Sequence, residues 1–199
     1  MVFRPSRPVL AAALIAFALP AIAQQRSEST TFLNAVREQD GNKVTEMLNE
    51  PGQSVVNAKD GKGEGAIHIV VKRRDRTYLN FILARGGDAN LQDRAGNTPL
   101  MLAVEAAYPE GVTILLSRGA NINLANNGGE TPLIRAVQRR DIELVRMLLT
   151  NKADPDQSDR LAGMSARDYA AADARSPMIA QMLKNAPKAE KRAVSGPSF

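Results

Sequence analysis

A self-similarity at a step of 33 residues constrains this chain more than any other feature. Asp93-Arg94-Ala95-Gly96-Asn97-Thr98-Pro99-Leu100-Met101-Leu102-Ala103 returns as Asn126-Asn127-Gly128-Gly129-Glu130-Thr131-Pro132-Leu133-Ile134-Arg135-Ala136. One step back from Gly96 reaches Gly63, and a step of 34 forward from Gly129 reaches Gly163. The other half of the unit repeats too. Leu83-Ala84-Arg85-Gly86-Gly87-Asp88-Ala89-Asn90 matches Leu116-Ser117-Arg118-Gly119-Ala120-Asn121-Ile122-Asn123, and again Leu149-Thr150-Asn151-Lys152-Ala153-Asp154-Pro155-Asp156. A unit this short cannot bury an apolar face alone, so neighbouring units must supply the missing surface to one another.

The residue types inside the unit predict its local structure. Thr98 and Thr131 are set to cap helix N-termini by accepting from free amides. Pro99 and Pro132 follow at the first helical position, where a missing N–H costs nothing. Leu100 and Leu133 open an apolar stripe. Ala103 and Ala136 are small enough to let neighbouring helices approach. A short turn leads to a second apolar helix, clearest as Ile142, Leu144, Val145, Met147, Leu148 and Leu149. Gly86 and Gly119 stand where a left-handed helix stop belongs. In the fourth unit Lys152 takes the place of Gly119, and Asn151 is expected to assume the left-handed role. The polar stretch 123–129 reads as a hairpin loop. The expected fold is an all-α solenoid of five helix–turn–helix–hairpin units.

These motifs closely resemble the ankyrin repeat family. Gly96-Asn97-Thr98-Pro99-Leu100, Gly129-Glu130-Thr131-Pro132-Leu133 and Gly119-Ala120-Asn121-Ile122-Asn123 carry the resemblance over roughly residues 28–184. Two units match closely and three loosely. The first lacks its leading loop and opens at Thr30-Thr31-Phe32-Leu33. The last replaces the Thr-Pro pair by Ser165-Ala166, and its second helix begins Ser176-Pro177, read again as a cap followed by proline. Such atypical ends are the expected caps.

The two ends of the chain differ from this body. Arg4 and Arg7 precede an uninterrupted apolar run of 11 residues, Val9 to Leu19, and Ala21-Ile22-Ala23 supplies an A-x-A cleavage site. Residues 1–23 therefore read as a secretory signal, too short to span a bilayer. The repeat domain is assigned to 24–185 and a flexible basic tail to 186–199. After cleavage no stable membrane span is expected, and the expected location is the periplasm, or alternatively the medium. The formal charge is +5, yet residues 24–183 hold 20 basic and 20 acidic side chains. The excess sits at the ends, which argues against a nucleic-acid partner for the folded body.

Chemistry is sparse. Cysteine is absent and His68 is the single histidine. No disulfide, thiol nucleophile or multi-histidine metal site can form. Gly61-Lys62-Gly63-Glu64-Gly65 suggests a phosphate loop but lacks the Lys-Ser/Thr ending, and it falls in register with the other hairpin tips. Asp154, Asp156 and Asp159 suggest a cation loop, but the position that should close it is Ser165. No metal and no cofactor are expected. His68 takes the family's Thr-Pro-Leu-His position, where the resemblance implies a structural tie between adjacent hairpins. A hydrolase built on Ser165, Asp168 or Glu105 lacks a base–nucleophile pair, so no catalytic residue is assigned.

By the resemblance, partners bind at hairpin tips and on the exposed face of each first helix. Register carries those roles to Arg37 with its neighbour Glu38, to Lys62, Glu64, Lys72 and Arg73, to Arg94, Asn97 and Glu105, and to Asn127, Glu130, Gln138 and Arg139. This row mixes both signs and shows no aromatic side chain, unlike a base-stacking platform. Lys72, Arg73, Arg74 and Arg76 form a basic cluster, and Arg139-Arg140 lie in register with Arg73-Arg74. They read either as a solvated face or as a patch for an acidic partner. The function expected is a non-enzymatic, exported module that binds an unidentified protein. The alternative is a secreted effector or inhibitor of a host or rival enzyme.

Overall fold

The computed structural model describes residues 28–50 and 55–188. Residues 1–27, which include the segment expected to be a secretory signal, residues 51–54 in the long first linker and residues 189–199 of the expected tail lie outside the described residues. Helices follow one another in pairs: α1 (28–38) with α2 (Gly41–Asn49), α3 (Ala66–Lys72) with α4 (Arg76–Ala84), and α5 (Pro99–Glu105) with α6 (Pro109–Ser117). The last two pairs are α7 (Pro132–Gln138) with α8 (Ile142–Thr150), and α9 (Ala166–Ala172) with α10 (Pro177–Asn185). Five repeats result, and no strand occurs among the described residues. Hairpins between the pairs carry only isolated bridges, Lys59 with Gly65 and Ser158 with Ser165.

Capping follows the sequence closely. The Thr98 and Thr131 hydroxyls accept from Met101 N–H and Ile134 N–H, each at 3.2 Å. Ser165 does the same for Asp168, whose carboxylate accepts in return from Ser165 N–H. The second helices use aspartate: Asp40, Asp75 and Asp141 accept from Lys43, Tyr78 and Leu144 N–H. Ser176 departs from expectation. Its side chain makes no capping bond, and Pro177 alone sets the start of α10. A second departure is at the end of α8. Lys152, not Asn151, takes the left-handed conformation, with φ of 67° against −90°. Its position in register matches Gly119, so the backbone path was conserved across the step and the residue type was not.

First helices stack on first helices and second on second, α3–α5–α7–α9 beside α4–α6 and α8–α10. The inner row packs more closely, through seven-residue helices with Ala103, Ala136 and Ala170 at the contacts, against nine-residue second helices. The stack therefore curves toward the first helices. A continuous core runs through it from Phe32 and Val36 to Ile179 and Leu183.

Polar ladders on the hairpin side complete the stack. Asn57 donates to the Gly86 carbonyl and accepts from Asp88 N–H; Asn90 repeats both bonds with Gly119 and Asn121, at 3.1 and 2.6 Å. Asn123 accepts from Asp154 N–H at 2.8 Å. At the tips, Arg94, Asn127 and Arg160 N–H donate to the carbonyls of Lys62, Ala95 and Gly128 in the preceding hairpin, at 2.8–3.0 Å. The glycines of the 33-residue step sit beneath these bonds. A Cβ on Gly96 would lie 2.6 Å from Asn127 N, and one on Gly129 2.7 Å from Arg160 N.

This geometry separates two costs of a side chain. Gly96 and Gly119 share a φ of 81°, but a Cβ on Gly119 meets nothing within 4 Å. Gly119→Ala is expected to lose about 1–2 kcal/mol from backbone strain alone. Gly96→Ala is expected to lose about 1–3 kcal/mol beyond that, from overpacking against the next hairpin. Urea unfolding of both variants measures the difference; equal losses would show that the hairpin contact contributes nothing.

Candidate functional site

The first-helix face repeats one pattern of positions, and the side chains differ at each step. In the middle of each helix stand Ile69, Leu102, Arg135 and Tyr169 in turn. At the ends stand Lys72, Glu105 and Gln138, all exposed, and beside them the hairpins bring Glu64, Asn97 and Glu130. A cleft of about 300 Å³ opens between the second and third repeats, lined by Lys72, Asp93, Asn97, Leu102, Glu105 and Ala106.

A polar network frames it. Lys72 pairs with Glu64. Asp93 accepts from Asn97 N–H at 2.8 Å and from its side-chain amide at 3.1 Å. Asn126 donates to Asn97 Oδ1 at 3.2 Å and to Glu130 at 2.8 Å. Arg135 binds Glu130 at 2.6 Å and stands 3.8 Å from Glu105, which remains 52% exposed. Asp93, Asn126 and Arg135 are absent from the sequence-based set, yet they tie its members together. Stepping Ile69 forward by the repeat length reaches Leu102 and then Arg135, so register alone was enough to find the floor of the groove.

The sequence-predicted residues divide by use. Lys72, Asn97 and Glu105 line the cleft, and Glu64 and Glu130 buttress it. Arg37 binds Asp60 at 2.5 Å, linking α1 to the second repeat's hairpin. Lys62, Arg94 and Asn127 form the hairpin edge, where Asn127 also donates to the Arg94 carbonyl at 2.9 Å. The Arg94 side chain lies over Gly63 of the preceding tip. Gln138 and Arg139 are exposed at the end of α7, and Glu38 at the end of α1.

Arg73 is used inside the fold. It donates to the Val36 carbonyl at 2.8 Å, binds Asp75 at 3.0 Å and lies 5.3 Å over the Tyr78 ring. Arg140 likewise binds Asp173 at 2.6 Å. Two members of the basic cluster, Arg73 and Arg140, thus tie repeats together, while Arg74, Arg76 and Arg139 stand exposed. The face also holds an aromatic, contrary to the sequence reading. Tyr169 donates to Asp159 at 2.5 Å beside Gln138. That bond and three backbone N–H groups, from Leu161, Ala162 and Gly163, hold the Asp159 carboxyl below its ordinary range.

The remaining candidates resolve into structure. Gly61-Lys62-Gly63-Glu64-Gly65 is a hairpin tip closed by Gly63 N–H to Asp60 O. Asp154 accepts from Asp156 N–H, and Asp156 pairs with Arg167. Among the described residues no group of three or more His, Asp or Glu is placed to hold a metal ion. Ser165 donates to Asp168 within its capping box, far in register from His68. His68 is fully buried; its Nδ1 accepts from Gly65 N–H at 3.0 Å, so Nε2 carries the proton and faces the Asn97 carbonyl at 3.3 Å. It ties one hairpin to the next, directly above the cleft residue Asn97.

The paired helices, their hairpin ladder and the groove define a helical repeat solenoid. A family model for ankyrin repeats, in three copies, matches residues 32–126 and 67–159, and the chain belongs to the ankyrin repeat family. Ankyrin repeats are generally protein–protein interaction modules, and the family is typically non-enzymatic. Among curated relatives, the chain is 38% identical over 48 residues to the putative ankyrin repeat protein L271 of Acanthamoeba polyphaga mimivirus, covering 24% of this chain and 7% of that one. It is 33% identical over 80 residues to human oxysterol-binding protein-related protein 1, covering 40% and 8%. It is 34% identical over 73 residues to mouse neurogenic locus notch homolog protein 1, covering 37% and 3%. The chain thus spans less than a tenth of the length of these relatives.

Burial holds the His68 imidazole below its ordinary pKa of 6.5. The unfolded chain therefore takes up a proton before the folded one does. His68 contributes its full stability above about 6.5, and that contribution is lost as pH falls from there through the depressed folded value. Unfolding free energy should drop between pH 7.5 and 5 for the natural chain. For His68→Gln the curve should be lower and flatter over that window. Parallel curves would remove His68 as the titrating group.

Proposed function

We propose that this protein is a non-enzymatic binding module exported to the bacterial envelope, where it holds a partner protein through the first-helix face of its solenoid. The carrying observation is the cleft at Lys72, Asn97, Leu102 and Glu105. It lies on the concave side, joins residues of two repeats and combines an apolar floor with charged walls, as recognition sites do. Export is supported by Arg4 and Arg7, the apolar run from Val9 and the Ala21-Ile22-Ala23 site.

A photo-crosslinking residue placed at position 105, on the groove, or at 143, on the second-helix face, tests the site in living cells. A discrete protein adduct is expected from position 105 and none from 143. Adducts from 143 alone, or from neither, would count against the groove. Fractionation of the same cells tests the address. Release by osmotic shock supports the envelope reading, whereas recovery from the medium moves the protein to the effector or inhibitor reading.

A further inference from the structure

The charges around the cleft do not cancel. Lys72 is matched by Glu64, and Arg135 by Glu130. Asp93 and Glu105 remain. Asp93 is held in place by Asn97 through two neutral donors and has no ion-pair partner within 4.0 Å among the described residues. Glu105 has only Arg135 at 3.8 Å, and that guanidinium is already committed to Glu130 at 2.6 Å. The cation nearest in sequence, Arg94, sets its Cγ against Gly63 of the preceding tip and forms no ion pair with Asp93. The cleft thus offers two carboxylates above an apolar floor formed by Leu102 and Ala106.

The basic residues that suggested an acidic partner are positioned differently. Arg73 and Arg140 are engaged between repeats. Neither lines the cleft. An acidic ligand there would meet Asp93 and Glu105 and would have to break the Lys72–Glu64 pair to find a counter-ion.

We propose that the cleft binds a basic side chain of a partner polypeptide, a lysine or arginine flanked by apolar residues. Its methylenes lie on Leu102 and Ala106, and its charged head lies between Asp93 and Glu105. The proposal rests on the groove reading above and adds the chemistry of the occupant. A long cationic side chain is the group that satisfies both parts of the site, since its stem is apolar and only its head needs carboxylates. The cleft is of side-chain size, so the determinant is a short extended segment rather than a helix face. Specificity comes from the sign of the charge, because the wrong sign is repelled by two carboxylates.

The test uses the full chain with labelled methyl groups and four short peptides, Ac-Ser-Leu-X-Leu-Ser-amide with X as arginine, lysine, norleucine or glutamate. Arginine and lysine peptides are expected to shift the Leu102 and Ala106 methyl signals, and the other two are not. Glu105→Gln should weaken the arginine peptide roughly fivefold, within the range of a partly exposed pair. Glu105→Lys should abolish its binding, and Glu143→Gln on the second-helix face should leave it unchanged. Thermal unfolding of each variant guards against loss of fold, which the exposure of Glu105 makes unexpected. Equal shifts from norleucine or glutamate would overturn the proposal, as would shifts confined to methyl groups away from the cleft. Silence from all four peptides while position 105 still crosslinks a partner would also overturn it, leaving the groove reading intact. Silence together with no crosslink would end both.

Discussion

The hydrogen bond that closes one unit is supplied by the next, and the molecule depends on that debt being passed along. Asn90 is the model: its amide satisfies the Gly119 carbonyl, and its oxygen fixes Asn121 N–H, both in the following repeat. Because a buried or half-buried backbone group left unpaired costs more than a made bond returns, each repeat is strongly coupled to its neighbour. The same logic governs the tips, where Gly63, Gly96 and Gly129 let the next hairpin come within bonding distance. Stability in such a stack belongs to interfaces as much as to units.

A ladder of this kind has to stop, and the two ends stop it by different chemistry. At the front, Arg37 reaches from α1 to Asp60, so a salt bridge meets the second repeat where no earlier hairpin lies among the described residues. At the back, Asp156 stands where Asn57, Asn90 and Asn123 stood. It binds Arg167 instead of a further loop. Arg167 occupies the register of the core residues Leu100 and Leu133, yet its guanidinium donates to the carbonyls of Leu183, Ala186 and Pro187. One arginine thus closes the last helix and neutralises the last step of the ladder. Gly163 marks the same boundary: a Cβ there would meet nothing within 4 Å, because no hairpin follows among the described residues.

What could be read in advance was whatever the period enforces on the backbone. Thr98, Thr131 and Ser165 act as caps, the hairpins fall in step with their glycines, and His68 ties two hairpins together. What escaped were the cases where position outweighs residue type. Lys152 is left-handed because the path inherited from Gly86 and Gly119 demands it, although asparagine is intrinsically better suited. Gln39, Arg74, Ala107 and Arg140 are left-handed for the same reason, at a turn where the chain offers no glycine to announce it. Ser176 makes no capping bond because its backbone, with ψ of 60°, departs from the extended geometry of Thr98 and Thr131, with ψ of 162° and 163°. Of the residues assigned by register, Lys72, Asn97 and Glu105 line the cleft. Arg73 belongs to the same register set, but its guanidinium reaches inward to the Val36 carbonyl at the end of α1.

That last point bears on how a repeat protein acquires a function. Positions that hold the stack together vary little from unit to unit: aspartate or asparagine at 60, 93, 126 and 159, and asparagine at 57, 90 and 123. The mid-helix position on the concave face changes every time, through Ile69, Leu102, Arg135 and Tyr169. Packing cannot explain such variety, because all four occupy the same geometric slot over equivalent neighbours. The face therefore changes character along its length, from apolar at the second and third repeats to a buttressed cation and a phenol at the fourth and fifth. On the proposed reading, a bound segment changes in step, with its basic and apolar part toward Leu102 and its hydrogen-bonding part toward Tyr169. A polarity of this kind fixes the direction in which a bound segment can lie, which a uniform groove would leave free.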